Sequence, residues 1–349
     1  MRLILRFIPT LKTRSERPRK FAPHRRRPWL YLAALMCLPF SAHAAASQLT
    51  IGALAYGTLN WELTVVEREG LDKQHGFDLK IRELANPQAG RIALQSGSAD
   101  LIVTDWLWVA RQRNRGSDFT VIPYSLTHGA LVVPPESPIR SIRDLAGRRL
   151  GIAGGALDKN WLLLQALAQQ RHQLNLAEDS RPVFGAPPLL SQQLLRGRMD
   201  ALLTYWHYAA PLEAKGYRRL LTGGDLLEAL DVTPPIPTLG YVFRQTFAER
   251  APDTVEAFWN TAFQAKQAIC TDDRVWSYIA PMTGSEDSDV QALLRRRYCE
   301  GRLQSWGERE LQAAAKLYRL LHRIGGEQLT GPAEELPEGT FWPGFTLPN

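Results

Sequence analysis

Two stretches constrain this chain more than any other feature: residues 97–110 (GSADLIVTDWLWVA) and residues 197–210 (GRMDALLTYWHYAA). Five positions are identical in this register, namely Gly97/Gly197, Asp100/Asp200, Thr104/Thr204, Trp106/Trp206 and Ala110/Ala210, and four more exchange like for like. Each copy reads as a polar turn, a short apolar run beginning at the aspartate, and Thr-x-Trp opening an amphipathic helix. An apolar run of that length fits a strand buried on both faces, as in a parallel sheet. A further echo lies upstream. Asn60-Trp61 follows a strand predicted at 49–54, and Asn160-Trp161 follows one predicted at 149–153. The pattern predicts an α/β chain of two Rossmann-like lobes built alike. Open α/β sheets bind ligands beyond the carboxyl ends of their strands, so two facing lobes predict a cleft lined from both sides.

Periodicity fills in the rest. Residues 77–84 (FDLKIREL) alternate apolar and charged side chains, as a strand with one wet face does. Further strands are predicted at 119–125, 130–134, 182–185 and 239–243. Helices are predicted over 61–74, 160–170, 190–196, 253–269, 288–297 and 308–324, with another ending at Leu94. The proline clusters at 134–138 (PPESP) and 234–237 (PPIP) are the expected crossings between lobes. This assigns 45–135 and 236–330 to lobe 1 and 136–235 to lobe 2, each with its own core. A Pro- and Gly-rich tail over 331–349 is expected to run across the surface.

The N-terminus accounts for the basic character of the chain. Residues 1–28 are rich in Arg and Lys, 29–40 form a short apolar run, and Ala42-His43-Ala44 supplies a small-x-small pattern. This predicts a secretory signal over 1–44, cleaved to leave a periplasmic protein. The apolar run is too short to cross a membrane as a helix, with an uncleaved anchor as the competing reading. Arg26-Arg27-Pro28-Trp29-Leu30 resembles a twin-arginine signal but has no Ser or Thr before it, so both export routes stay open. Residues 1–44 hold ten of the 42 Lys and Arg and one of the 35 Asp and Glu, so the formal +7 of the whole chain becomes −2 beyond residue 44. No basic face is left to argue for nucleic acid. Cys270 and Cys299 are the two cysteines beyond that point. An even number in an exported chain predicts a disulfide, with two buried thiols as the competing reading.

Several residues stand where they would meet a ligand. Gly154-Gly155-Ala156-Leu157-Asp158-Lys159 lies between a predicted strand and helix. Glycine there lets the backbone approach a ligand, and the first free N–H groups of the helix favour an anion. Asp158 capping the helix is the plainer use. Trp61, Trp106, Trp161 and Trp206 all fall at strand-to-helix turns. An indole there stacks on a flat ligand or attracts a cation, or else packs the hinge. Asp105 and Tyr205 take equivalent places in the two copies, so the site would be asymmetric and suited to a ligand with an amine and an acid end. Asp105 capping its own helix is the competing use. Asn86 and His207 are further candidates. His128, beside Gly129, reads as structural. No G-x-S-x-G elbow, H-E-x-x-H motif or Cys/His cluster with metal spacing occurs. No catalytic residue and no metal site is therefore expected, and the chain reads as a binder and not an enzyme.

The strand at 49–54 (LTIGAL), the run 94–100 (LQSGSAD), the segment 137–152 (SPIRSIRDLAGRRLGI) and the return at 239–243 (LGYVF) carry a family likeness. Over residues 49 to about 325 the chain resembles the periplasmic solute-binding proteins of ABC importers, of the nitrate/sulfonate/taurine type. The resemblance implies the periplasmic binding protein type II fold, with a two-crossing hinge and a helical C-terminal extension on lobe 1. It implies a closing clamp, no cofactor, a monomer, and delivery of a small solute to an ABC permease in the inner membrane. It also implies ligand contacts from the first loop, with Tyr56 and Asn60, from Asn86, from the Thr-x-Trp turns, with Thr104, and from the helix end at Gly155 and Ala156. The expected cleft departs from that of a plain anion binder: it is heavy in Trp and carries Asp105 and Asp158 with only Lys159 opposite. That admits an amine-bearing or aromatic compound. A periplasmic accessory protein that partners a redox enzyme or receptor is the competing reading.

Overall fold

In chain order β1 (Ser47–Leu54), β2 (Phe77–Leu84), β3 (Leu101–Asp105) and β4 (Phe119–Ser125) build one sheet of the computed structural model, which describes residues 47–55 and 57–348. The predicted signal over 1–44 and Tyr56 lie outside the described residues. A second sheet takes β5 (Ala130–Val133), β6 (Arg149–Ala153), β7 (Arg181–Gly185), β8 (Ala201–Thr204) and β9 (Arg218–Thr222), and β10 (Leu239–Arg244) returns to the first. The spatial orders are β2-β1-β3-β10-β4 and β7-β6-β8-β5-β9. In the first sheet β10 alone runs against its neighbours, and in the second β5 does. Each sheet thus receives its antiparallel strand directly from a crossing out of the other. Since β5 already belongs to the second sheet, the chain changes sheet at residues 126–129, earlier than the prolines at 134–138 suggested. A proline ends a strand whichever sheet that strand has joined.

The echo in the sequence is an echo of structural roles. Gly97 and Gly197 both take left-handed backbone, with φ of 73° and 68°, where a side chain would be strained. The Asp100 carboxylate accepts the Thr50 N–H at 2.8 Å, and that of Asp200 accepts the Arg149 N–H at 2.8 Å. Each aspartate thereby ties the start of a central strand to the strand beside it. Thr104 and Thr204 are buried at the strand ends.

Helices cover both sheets. Around the first lie α1 (Leu59–Glu69), the single turn α2 (Leu71–Gln74), α3 (Pro87–Ser96) and α4 (Trp106–Arg113). Around the second lie α5 (Lys159–His172), the short α6 (Leu176–Asp179), α7 (Pro187–Leu195), α8 (Trp206–Ala214) and α9 (Gly223–Ala229). After β10 come α10 (Gln245–Arg250), α11 (Pro252–Thr271), α12 (Asp273–Ile279), α13 (Ser288–Glu300) and α14 (Glu308–Thr330), the last interrupted at Gly326. No helix among the described residues is long and apolar enough to cross a membrane.

The expectation of separate cores is corrected. One apolar cluster runs from Ile102 and Trp106 of the first half to Leu163 and Leu203 of the second, with Leu317 and Leu321 of α14 between them. The amphipathic face of α14 buries itself on both halves at once. The tail is also more than a surface strap. Val121 on edge strand β4 donates to the Thr340 carbonyl and accepts from the Trp342 N–H, both at 3.0 Å. Phe341 and Phe345 are buried beneath it, so the tail covers an exposed sheet edge.

A second region of packing joins α8 to α13. Trp206 and Ala210 of α8 meet Tyr298 of α13, and the Arg297 guanidinium pairs with the Glu213 carboxylate at 2.6 Å. Two further ties hold α13 to the first half. One is the Cys270–Cys299 disulfide to α11, as the cysteine count predicted. The other is a buried carboxylate. Glu62 accepts hydrogen bonds from the hydroxyls of Tyr124 (2.7 Å), Tyr241 (2.7 Å) and Tyr298 (2.8 Å) and from the Lys266 ammonium (2.6 Å). Burial, reinforced by the Glu62 charge, pushes all three tyrosines well above the ordinary phenol value. Nothing in the spacing of these five residues, drawn from α1, β4, β10, α11 and α13, announced the cluster.

Candidate functional site

The carboxyl ends of the two sheets come together at the crossings. Asp105 ends β3 opposite Leu239, and Thr204 ends β8 opposite Ala130. Lys159 opens α5 just beyond β6, and its ammonium reaches the Asp105 carboxylate at 3.6 Å. The other Asp105 oxygen accepts from the Arg91 guanidinium at 2.9 Å. Burial by itself would raise the Asp105 carboxyl. The Lys159 and Arg91 charges and the Trp108 N–H outweigh it and hold the pKa below the usual carboxylate value. Asp158, next along, is pushed up by burial, which Lys159 and two backbone N–H groups only partly offset.

Between these groups lies a cavity of about 20 Å³, bordered by Trp106, His128, Lys159, Asn160 and Thr238. It has room for about one water molecule. His128 Nδ1 stands 3.3 Å from the Thr238 hydroxyl, while Nε2 has no hydrogen-bond partner among the described residues. Burial lowers the His128 pKa to about 4, so the ring is neutral near pH 7. The same cause brings His207 to about 4. The Asn160 amide fits against backbone: a Cβ on Gly223 would stand 2.5 Å from its oxygen. Gly154 takes φ of 98°, and a Cβ there would meet the Tyr205 hydroxyl at 3.1 Å.

The predicted ligand set divides on inspection. Asp105 reaches Lys159, Tyr205 lies beside Gly154 and Asp158, His207 stacks on Tyr205 with ring centroids 6.2 Å apart, and Gly155 and Ala156 are exposed in the loop before α5. Asp105 and Asp158 are also helix caps, accepting from Trp108 N–H at 2.9 Å and from Asn160 N–H at 3.0 Å. Asn86 caps α3 through the Ala89 N–H, and the Asn60 amide donates to the Leu54 carbonyl. Thr104 is buried within 3.4 Å of the Arg91 Nε. Such caps typically stabilise by about 1 kcal/mol, so the polar turn residues have local work regardless of any ligand.

The aromatic cleft is corrected. Trp61, Trp106 and Trp161 are 5%, 2% and 2% exposed. The Trp106 indole donates to the Pro237 carbonyl of the return crossing at 2.8 Å and packs on Phe341 and Tyr318. Trp61 packs on Trp276 and Tyr298, and Trp161 on Phe184. Only Trp206 of the four is half-buried, against Tyr298 and His207. The large apolar area of an indole is drawn under whatever covers the turn. Here α14, the tail and α13 do the covering. Arg91 and Thr238 stand in the site although nothing in the sequence pointed to them. Lys159 stands where the sequence predicted it, opposite Asp105 in the cleft.

The model of the NMT1/THI5-like family matches residues 53–273, more than half of the chain. The chain belongs to the NMT1/THI5-like family. Among solved structures, this family member is similar to the periplasmic aliphatic sulphonate-binding protein SsuA from Escherichia coli. The two are 18% identical with a TM-score of 0.67, over 85% of this chain and 97% of that one. The alkanesulfonate-binding SsuA from Xanthomonas axonopodis bound to MOPS gives 18% identity and a TM-score of 0.61 over 86% and 99%. The desulfurization enzyme DSZB shares the fold at 16% identity and a TM-score of 0.53, over 82% and 97%. Among curated protein sequences there is no match. The type II binding-protein fold and the likeness to nitrate/sulfonate/taurine-type solute-binding proteins of ABC importers therefore hold.

Proposed function

We propose that this NMT1/THI5-like protein captures a small organic solute where the carboxyl ends of its two sheets meet, and delivers it to an ABC permease. The observation that carries the reading is the Asp105–Lys159 pair, one partner from each half, 3.6 Å apart. A solute with an acid group takes Lys159 from Asp105. An ammonium or hydrogen-bond donor on the same solute takes the carboxylate so released. Both halves then hold one ligand, which is the requirement for a closing clamp. The names of the two SsuA relatives support a sulphonate end, and a further similar structure named as a sulfonate ABC transporter's binding protein supports transport. The halves, meeting at residues 126–129 and at the return crossing, are the expected moving parts, and release from the exported precursor at residue 44 is the expected maturation.

A thermal-shift series over sulfonates, carboxylates and zwitterions tests this. At a hundredfold excess over Kd a true ligand stabilises by about 2.7 kcal/mol. Lys159→Met is expected to abolish the response. If no compound of these classes stabilises the protein, or if Lys159→Met responds like the parent, the reading fails.

A further inference from the structure

Two helices that flank β3 turn polar faces toward one another. Gln88, Arg91 and Gln95 recur at helical spacing along α3, and Trp108, Arg111, Gln112 and Arg115 do so along α4 and its end. They line a cleft of about 360 Å³, bounded by Glu327 and Gln328 of α14. That is within the size of small-ligand pockets. It adjoins the site at the crossings through Arg91, which reaches Asp105, and none of its other residues takes part in the proposed solute capture. We infer that this cleft binds a small phosphate-bearing anion.

The charge balance is the first support. Three guanidinium groups line the cleft against one carboxylate, that of the exposed Glu327. Arg111 is fixed in place by donating to the Gln328 carbonyl at 2.7 Å and the Leu329 carbonyl at 3.3 Å. Arg91 lies over the Trp108 ring at 5.5 Å. Arg115 is exposed and has no ion-pair partner among the described residues. Burial lowers the Arg111 pKa, Asp105 opposes this, and Arg91 and Arg115 add to the lowering, so the cations repel one another across the cleft. An oxyanion relieves that repulsion, and guanidinium forks match its oxygens two at a time.

Gln112 is the second support: it borders the cleft, and its amide N–H, which makes no side-chain hydrogen bond among the described residues, is left to donate to an anion held by the guanidinium groups. The net positive lining favours a doubly charged group over a singly charged one. Arg91 also donates to Asp105, so occupancy of this cleft and the charge state of Asp105 are linked.

Calorimetric titration with inorganic phosphate and with pyrophosphate is the test. Saturable binding is expected, tighter for pyrophosphate. Arg115→Gln is expected to weaken it roughly tenfold, the loss of one charge-assisted contact, with the melting temperature unchanged. Arg111→Gln should weaken it further, and Lys159→Met should leave it intact, which separates this cleft from the solute site. The proposal is overturned if neither anion binds saturably at millimolar concentration, if Arg115→Gln and Arg111→Gln bind as the parent does, or if Lys159→Met alone removes binding. Sedimentation with phosphatidylglycerol vesicles in the absence of any response to soluble phosphate or pyrophosphate would replace the small anion with a membrane surface and equally overturn it.

Discussion

Lys159 and Asp105 stand 3.6 Å apart although one opens α5 beside the second sheet and the other closes a strand of the first. Their side chains are 26% and 13% exposed, so water screens the pair in part. Lys159→Met is therefore expected to change stability by no more than about 1 kcal/mol, as partly exposed ion pairs do. Denaturant unfolding checks this, alongside loss of the ligand-dependent shift. A much larger loss would make the lysine a structural tie and not a ligand group.

Acid is expected to destabilise the fold through two histidines. His128 and His207 have pKa values near 4 in the folded chain against an ordinary 6.5. Between about pH 6.5 and pH 4 the unfolded chain binds protons that the folded chain refuses. Stability therefore rises with pH across that window and is fully present above it. Asp105, held below its ordinary value, acts in the same direction at lower pH: its contribution is present above the unfolded carboxylate range and is lost as pH falls through the folded pKa. Melting temperature against pH for the parent and His128→Asn should show a shallower slope in the variant, and identical curves would exclude His128 as a source.

Removing the Glu62 carboxylate should cost more than removing the Lys159 ammonium. Glu62→Leu leaves the Lys266 ammonium buried without its anion, and burial already lowers the lysine pKa. Breaking one side of such a pair typically costs about 3–5 kcal/mol. Glu62→Leu combined with Lys266→Met is expected to recover part of that loss. The double-mutant cycle in urea is the measurement.

Tryptophan substitutions should separate core from site. Trp106→Ala empties a fully covered position between Phe341, Tyr318 and the Pro237 carbonyl, and large-to-small changes of this kind cost about 3–5 kcal/mol. Trp206→Ala, at a half-buried position, should cost less and loosen α8 from α13. Equal melting temperatures for the two variants would contradict the burial difference.

Cys270→Ser is expected to lower the melting temperature under oxidising conditions and to leave it unchanged once the parent has been reduced. The bridge spans 29 positions, for which loop closure predicts about 3–4 kcal/mol. Equal melting of the parent with and without reductant would remove the bridge from the account of how α13 is held.

Much of the architecture was legible because it is local. The predicted strands at 77–84, 119–125 and 149–153 coincide with β2, β4 and β6, since alternation and apolar runs report which faces of a strand are wet. The arginine-rich β9 and the short α9 and α12 were passed over. Arg218 and Arg219 hide the strand signal of β9, and α9 begins with two glycines, which read as a turn. The turns that line the site were found because glycine, asparagine and aspartate mark strand-to-helix junctions. The same residues cap helices, and a single sequence has no way to separate the two uses.

By itself the sequence determined the two matched halves: Gly97 and Gly197 at left-handed turns, Asp100 and Asp200 tying strand starts, and the apolar runs between that become central strands. These depend on backbone sterics and on periods of a few residues, which neighbours in the chain set. The tertiary structure alone decided which indoles were covered, which sheet β5 joined, and that Glu62 collects three phenols and an ammonium. Burial is a property of what arrives to cover a face. For Trp106 that was Phe341, near the other end of the chain, which no local pattern around residue 106 encodes.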